Sequence, residues 1–98
     1  MEIVITKSKK SDKKFDAVID GKKTVSFGQK GASDYTKHKD KERKEAYISR
    51  HKKNEDWGVS GVKTAGFWSR HILWAKPTLK ESIDDIHKKF KSLNVKMK

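Results

Sequence analysis

The sequence predicts a small α+β domain, a three-stranded antiparallel meander packed on three helices. Three observations predict it. Short β-branched or alternating runs fill the first 27 residues, Asp20-Gly21 separates two of those runs, and the rest of the chain carries apolar residues at helical spacing. With 98 residues there is room for one domain, read here as residues 1–98 with a flexible lysine-rich loop at 7–14 and a basic tail at 91–98.

Glu2 to Thr6 (EIVIT) is a β-branched run and reads as the first strand. Phe15 to Ile19 and Lys22 to Phe27 flank Asp20-Gly21, a pair suited to the positive φ of a tight hairpin turn. Phe15, Ala17 and Ile19 share one face, as do Val25 and Phe27; Val18 breaks the alternation. Gly28 to Asp34 reads as a loop. Its Gly-x-x-Gly spacing, with no Lys-Ser/Thr following, is not that of a phosphate-binding P-loop.

Asp34 or Asp40 can cap a polar helix over Lys41 to Lys53, with Asp40–Lys44 and Lys41–Glu45 four apart as possible ion pairs. Tyr47, Ile48 and His51, extended by the stem of Lys44, form its narrow apolar strip, which places the helix on the outside of the domain. Trp57 in the turn-rich segment after it reads as a plug of the core, with stacking on a base as the alternative. Thr64 caps a second helix, Ala65 to Trp74, apolar around most of its circumference and therefore central. Thr78-Leu79-Lys80-Glu81 matches a capping box and opens a third helix whose stripe is Leu79, Ile83, Ile86 and Phe90, with Asp84–Lys88 and Asp85–Lys89 on its outer side. Leu93, Val95 and Met97 alternate in the tail, which either adds an edge strand or stays loose.

Charge bounds the function. The chain holds 25 Lys+Arg against 13 Asp+Glu, a net +12, beyond the magnitude of about 2–8 that solubility asks of a small domain. Only Arg43, Arg50 and Arg70 are arginines. Lysine is a flexible point charge and suits sequence-independent attraction to a phosphate backbone more than the reading of base edges. The charge is clustered in Lys7–Lys14, Lys37–Lys53 and the tail, around a near-neutral aromatic middle. The absence of Cys excludes disulfide scaffolds, thiol catalysis and zinc sites of the Cys type. The N-terminal residues lack the pattern of a signal peptide and no run is long enough to span a membrane, so the expected location is intracellular and not secreted.

Sites of chemistry are few. His38, His51, His71 and His87 show no metal-ligand spacing. His71 reads as a core residue, while His38 and His51 enlarge the basic surface and would strengthen anion binding as pH falls toward about 6. Asp34, Asp40, Glu42 and Glu45 lie near basic residues, as a metal-dependent nuclease would require, but they alternate with Lys and Arg like a solvated helix surface. No serine sits in a nucleophile elbow. Tyr35 and Tyr47 lie among basic residues; each ring can stack on a base or close the core over the first helix.

From Phe27 to about Ile86 the chain resembles an uncharacterised family of short basic proteins of large nucleocytoplasmic DNA viruses, of the phycodnavirus and mimivirus type. The residues that carry the resemblance are Phe27-Gly28, Gly31, Asp34-Tyr35-Thr36, His38-Lys39-Asp40, Arg43-Lys44, Tyr47, Arg50-His51, Trp57, Thr64 to Arg70, Leu73-Trp74 and Lys76 to Leu79. The resemblance implies a viral origin, a location in the host nucleus or cytoplasm, and packaging in the virion. It supplies no activity and no catalytic residue.

The expected function is non-enzymatic, largely sequence-independent binding to nucleic acid, double-stranded DNA before RNA, for genome condensation or packaging, with no cofactor and no metal. Lys37, Lys39, Lys41, Arg43, Lys44, Arg50, Lys52 and Lys53 are the expected phosphate contacts, with Tyr47 beside them and Lys9, Lys10, Lys13 and Lys14 as a mobile second arm. The alternatives are a structural virion protein that binds acidic protein surfaces, which exposed Trp57, Phe67 or Trp68 would favour, and the nuclease.

Overall fold

The computed structural model describes residues 1–98. Strand β1 (Glu2–Lys7) pairs antiparallel with β2 (Lys13–Ile19), and β2 with β3 (Lys23–Gln29). The expected turn closes β2 to β3: Asp20 and Gly21 have φ of 51° and 66°, and the Lys22 N–H donates to Ile19 O at 2.9 Å. Asp20 also accepts the Glu2 N–H at 2.8 Å, fastening the start of β1 to this turn.

A fourth strand, β4 (Asn94–Met97), lies parallel to β1, so the sheet is mixed and ordered β3-β2-β1-β4. This corrects the three-stranded antiparallel meander. The edge of β1 would otherwise be open, and the period-two pattern of the tail fills it by setting Val95 beside Ile3. Asn94 Nδ2 donates to Glu2 Oε1 at 2.8 Å, and the Val95 N–H to His87 Nε2 at 3.0 Å, so the basic tail is held from both sides.

The segment expected as a flexible loop at 7–14 gives its ends to β1 and β2. The connection between them is tied down by the Ser8 hydroxyl on Asp16 (2.7 Å) and the Ser8 N–H on Lys14 O (3.1 Å). Asp16 is buried. Burial alone would raise its pKa, but the Ser26 and Ser8 hydroxyls and the Lys9 N–H stabilise the carboxylate and bring it below the ordinary value.

Four helices follow. Asp34 and Asp40 are both caps. Asp34 starts a short α1 (Tyr35–His38), and Asp40 starts α2 (Lys41–His51), accepting the Glu42 N–H at 3.0 Å. The expected central helix is α3 (Ala65–Trp68), continued by a π-helical turn over Ser69–Leu73. The Trp74 N–H reaches back five residues to Ser69 O at 3.1 Å, and the Arg70 guanidinium donates to Trp74 O at 2.9 Å. Trp74, at the end of this turn, packs on α2: the Tyr47 and Trp74 rings are 4.4 Å apart and 1° from parallel. Helix α4 (Leu79–Lys89) begins at the expected cap, with the Glu81 N–H on Thr78 Oγ1 at 3.1 Å.

The core lies between one face of the sheet and α3, its π turn and α4. Ile3, Ile5, Ala17, Ile19, Val25, Phe27 and Val95 meet Phe67, Trp68, Ile72, Leu73 and Ile86 in one buried cluster. Trp68 Nε1, fully buried, donates to Val62 O at 2.7 Å. His71 is buried as expected, with Nε2 against Trp57 O at 2.9 Å. No helix is long and apolar enough to cross a membrane.

Candidate nucleic-acid interface

The two basic blocks that are separate in sequence meet in space. Lys14 on β2 reaches Asp34 at the head of α1, and its ammonium also donates to Ala32 O. Asp34 is fully used: it pairs with Lys14 and accepts from both the Thr36 N–H and hydroxyl. This junction brings the end of the β1–β2 hairpin against the start of the helical region.

A groove runs over the junction as three recesses with shared walls. The first, about 410 Å³, is lined by Lys7, Lys13, Lys14, Lys30 and Lys37 over Phe15, Leu73 and Leu79. The second, about 570 Å³, shares Lys13, Lys14, Asp34 and Leu73 with it and extends to Arg50 and Trp74. The third, about 420 Å³, shares Ser33, Arg50 and Trp74 with the second and ends at Arg43. The cations along the groove are almost all free of acids. Of the 25 Lys and Arg side chains, only Lys14, Lys80 and Lys89 stand in a salt bridge, the last two on α4.

The structure sorts the expected contacts. Lys13, Lys37, Arg43 and Arg50 line the groove. Lys9, Lys10, Lys39, Lys41, Lys52 and Lys53 are exposed but line none of its recesses. Three others are turned inward. Lys14 is neutralised by Asp34 with its side chain 9% exposed. Lys44 donates to Ala75 O at 2.7 Å and lies 4.9 Å from the Tyr35 ring centroid; burial, then Arg70, lowers its pKa, and it makes no ion pair with Asp40. Tyr47 is buried between Trp74 and His51, so its ring serves packing and not base stacking. Nearby acceptors decide the two lysines and aromatic packing decides Tyr47, and neither is visible in a charge count.

Lys7 and Lys30 belong to the groove and were missed. Lys7 is the last residue of β1, beside the block already singled out. Lys30 stands between Gly28 and Gly31, read above as punctuation only. His38 and His51 add less to the surface than expected. His38 Nδ1 accepts the Asp40 N–H at 2.9 Å, while His51 Nδ1 meets Tyr47 O at 2.9 Å and its ring stacks on Tyr47.

The acids weighed for a nuclease are engaged or dispersed. Asp34 and Asp40 are caps, Glu42 and Glu45 are exposed on α2, and no three His, Asp or Glu side chains gather as a metal site. The aromatic residues that would have marked a protein-binding patch are mostly inside: Phe67 and Trp68 are fully buried, and Trp57 is half-buried against Tyr47 and Arg70.

Fold and groove together define a small basic α+β protein whose mixed sheet and first helices shape one cationic channel. The chain belongs to a family of unknown function, DUF5754, which matches residues 3–51, from β1 through α2. That span contains the first basic block, the second up to His51, and the Lys14–Asp34 junction; Lys52, Lys53 and the groove-wall residues Leu73, Trp74 and Leu79 lie beyond it. No curated protein and no solved structure matches the chain.

Proposed function

We propose that the protein binds nucleic acid without strong sequence preference, the phosphate backbone lying along this groove. The observation that carries the reading is the convergence of residues 7–14 and 30–50 on one channel whose only acid, besides Glu55 at the middle recess, is already paired with Lys14. Six cations remain along it: Lys7, Lys13, Lys30, Lys37, Arg43 and Arg50. Lysine dominates, which suits backbone attraction; base reading favours planar donors and acceptors aimed at base edges. Genome condensation is the use that the resemblance to basic viral proteins would give such binding.

A salt-series titration with duplex DNA, single-stranded DNA, RNA and heparin tests the reading. Six neutralised phosphates give log affinity a slope of roughly −5 against log salt on duplex DNA. A slope near zero, or heparin binding tighter than every nucleic acid, would refute it.

A further inference from the structure

The arginine end of the groove differs in kind from the lysine end. The chain has three arginines, and two of them, Arg43 and Arg50, line one cleft of about 420 Å³ with Ser33, His38, Ala46 and Trp74. No acidic residue lines it. Arg43 and Arg50 lie seven residues apart on α2, about two turns, and Ala46 stands between them on the same face. A methyl group at that position leaves the space open; a longer side chain would fill it.

His38 also lines the cleft. Its Nδ1 accepts the Asp40 N–H, so in the neutral ring the proton sits on Nε2. That N–H is shielded from solvent, and the protein gives it no acceptor. The third arginine, Arg70, is by contrast committed to Trp74 O and the Trp57 ring.

We infer that the Arg43–Ala46–Arg50 cleft is a discrete pocket for a phosphate group, gripped by two guanidinium forks. Guanidinium is the side chain that pairs with phosphate oxygens bidentately, and two such forks about one small residue favour a compact tetrahedral anion over a diffuse counterion cloud. The inference rests on the nucleic-acid reading for the source of the phosphate and on the cleft alone for its chemistry.

The test uses the three arginine Nε–H signals in an NMR spectrum of the full chain. Inorganic phosphate, a nucleoside 5′-monophosphate and a duplex with 5′-hydroxyl ends are titrated in turn. Inorganic phosphate is expected to move the Arg43 and Arg50 signals together and saturably, leaving Arg70 unmoved. Arg43→Lys and Arg50→Lys keep the charge and lose the fork, and each weakens the association about tenfold. Ala46→Leu changes no charge, suits an exposed helix position and abolishes the saturable shift.

If the duplex moves the same two signals, the phosphate comes from the backbone. If only the monoesters do, the pocket stands and the nucleic-acid reading falls. Equal, unsaturable shifts of all three arginines, or a response unchanged in Ala46→Leu, would overturn the pocket.

Discussion

The Lys14 ammonium on β2 and the Asp34 carboxylate at the head of α1 form a salt bridge whose side chains are 9% and 3% exposed. It joins the two halves of the fold and sets both basic blocks along one groove. Its desolvation is offset only because Asp34 accepts two further hydrogen bonds from Thr36 and Lys14 donates a second to Ala32.

Removing one partner is therefore expected to cost more than removing both. Asp34→Ala leaves a buried ammonium unpaired and should lower unfolding free energy by about 3–5 kcal/mol in urea denaturation. Adding Lys14→Met to Asp34→Ala should restore part of the loss. A double variant no more stable than Asp34→Ala would show that capping of α1, and not the ion pair, sets the cost.

Gly28 is fixed by its backbone and by its neighbours. Its φ is +77°, and a Cβ there would come within 2.7 Å of Leu73 Cδ1 and 3.2 Å of Lys14 Cβ. Gly28→Ala is expected to destabilise by about 2–3 kcal/mol, strain and crowding together. Gly31 also has positive φ (+89°) but open space, so Gly31→Ala should cost only the backbone part, about 1 kcal/mol. Thermal unfolding of the two variants side by side checks the difference.

His71 gives stability a pH dependence of known sign. Burial first, then the nearby Arg70 and Lys89 charges, opposed by its bond to Trp57 O and by Asp85, bring its pKa from 6.5 down to about 4. The unfolded chain then takes up a proton at higher pH than the folded one. Stability is complete above pH 6.5 and falls as pH drops toward about 4, by roughly 3 kcal/mol from this group. The His71 ring protons should show no NMR titration until near pH 4, and His71→Phe should flatten that slope.

Tyr47 acts at the alkaline end. Burial against Trp74, with Glu55 adding to it, raises its pKa from 10.0 to about 12. A raised folded pKa means stability intact below 10 and lost as pH rises toward about 12. Ultraviolet titration of Tyr35→Phe, which leaves Tyr47 as the one tyrosine, should find ionisation only near pH 12.

Features that rest on near neighbours in the chain were legible in the sequence. Asp20-Gly21 announced its turn, Thr78 its cap, and Leu79, Ile83, Ile86 and Phe90 the inward stripe of the last helix. Features that depend on distant partners were less so. The pairing of Val95 with Ile3 needs an edge 92 residues away in sequence. The π turn is accompanied by bonds of Arg70 and His71 to Trp74 O and Trp57 O, which no local spacing announces. The same holds in the groove. Arg43, Arg50 and Lys37 line the groove walls, while Lys14 and Lys44 turn inward to Asp34 and Ala75 O.

The most direct test of the central claim compares two charge-reversed variants in one duplex-DNA titration at fixed salt. The first carries Lys30→Glu, Arg43→Glu and Arg50→Glu in the groove; the second carries Lys22→Glu, Lys63→Glu and Lys91→Glu, none of which lines it. Both lose the same net charge. The groove variant is expected to bind at least about a hundredfold more weakly than the remote one, on every DNA sequence alike. Equal losses in the two variants would contradict the account.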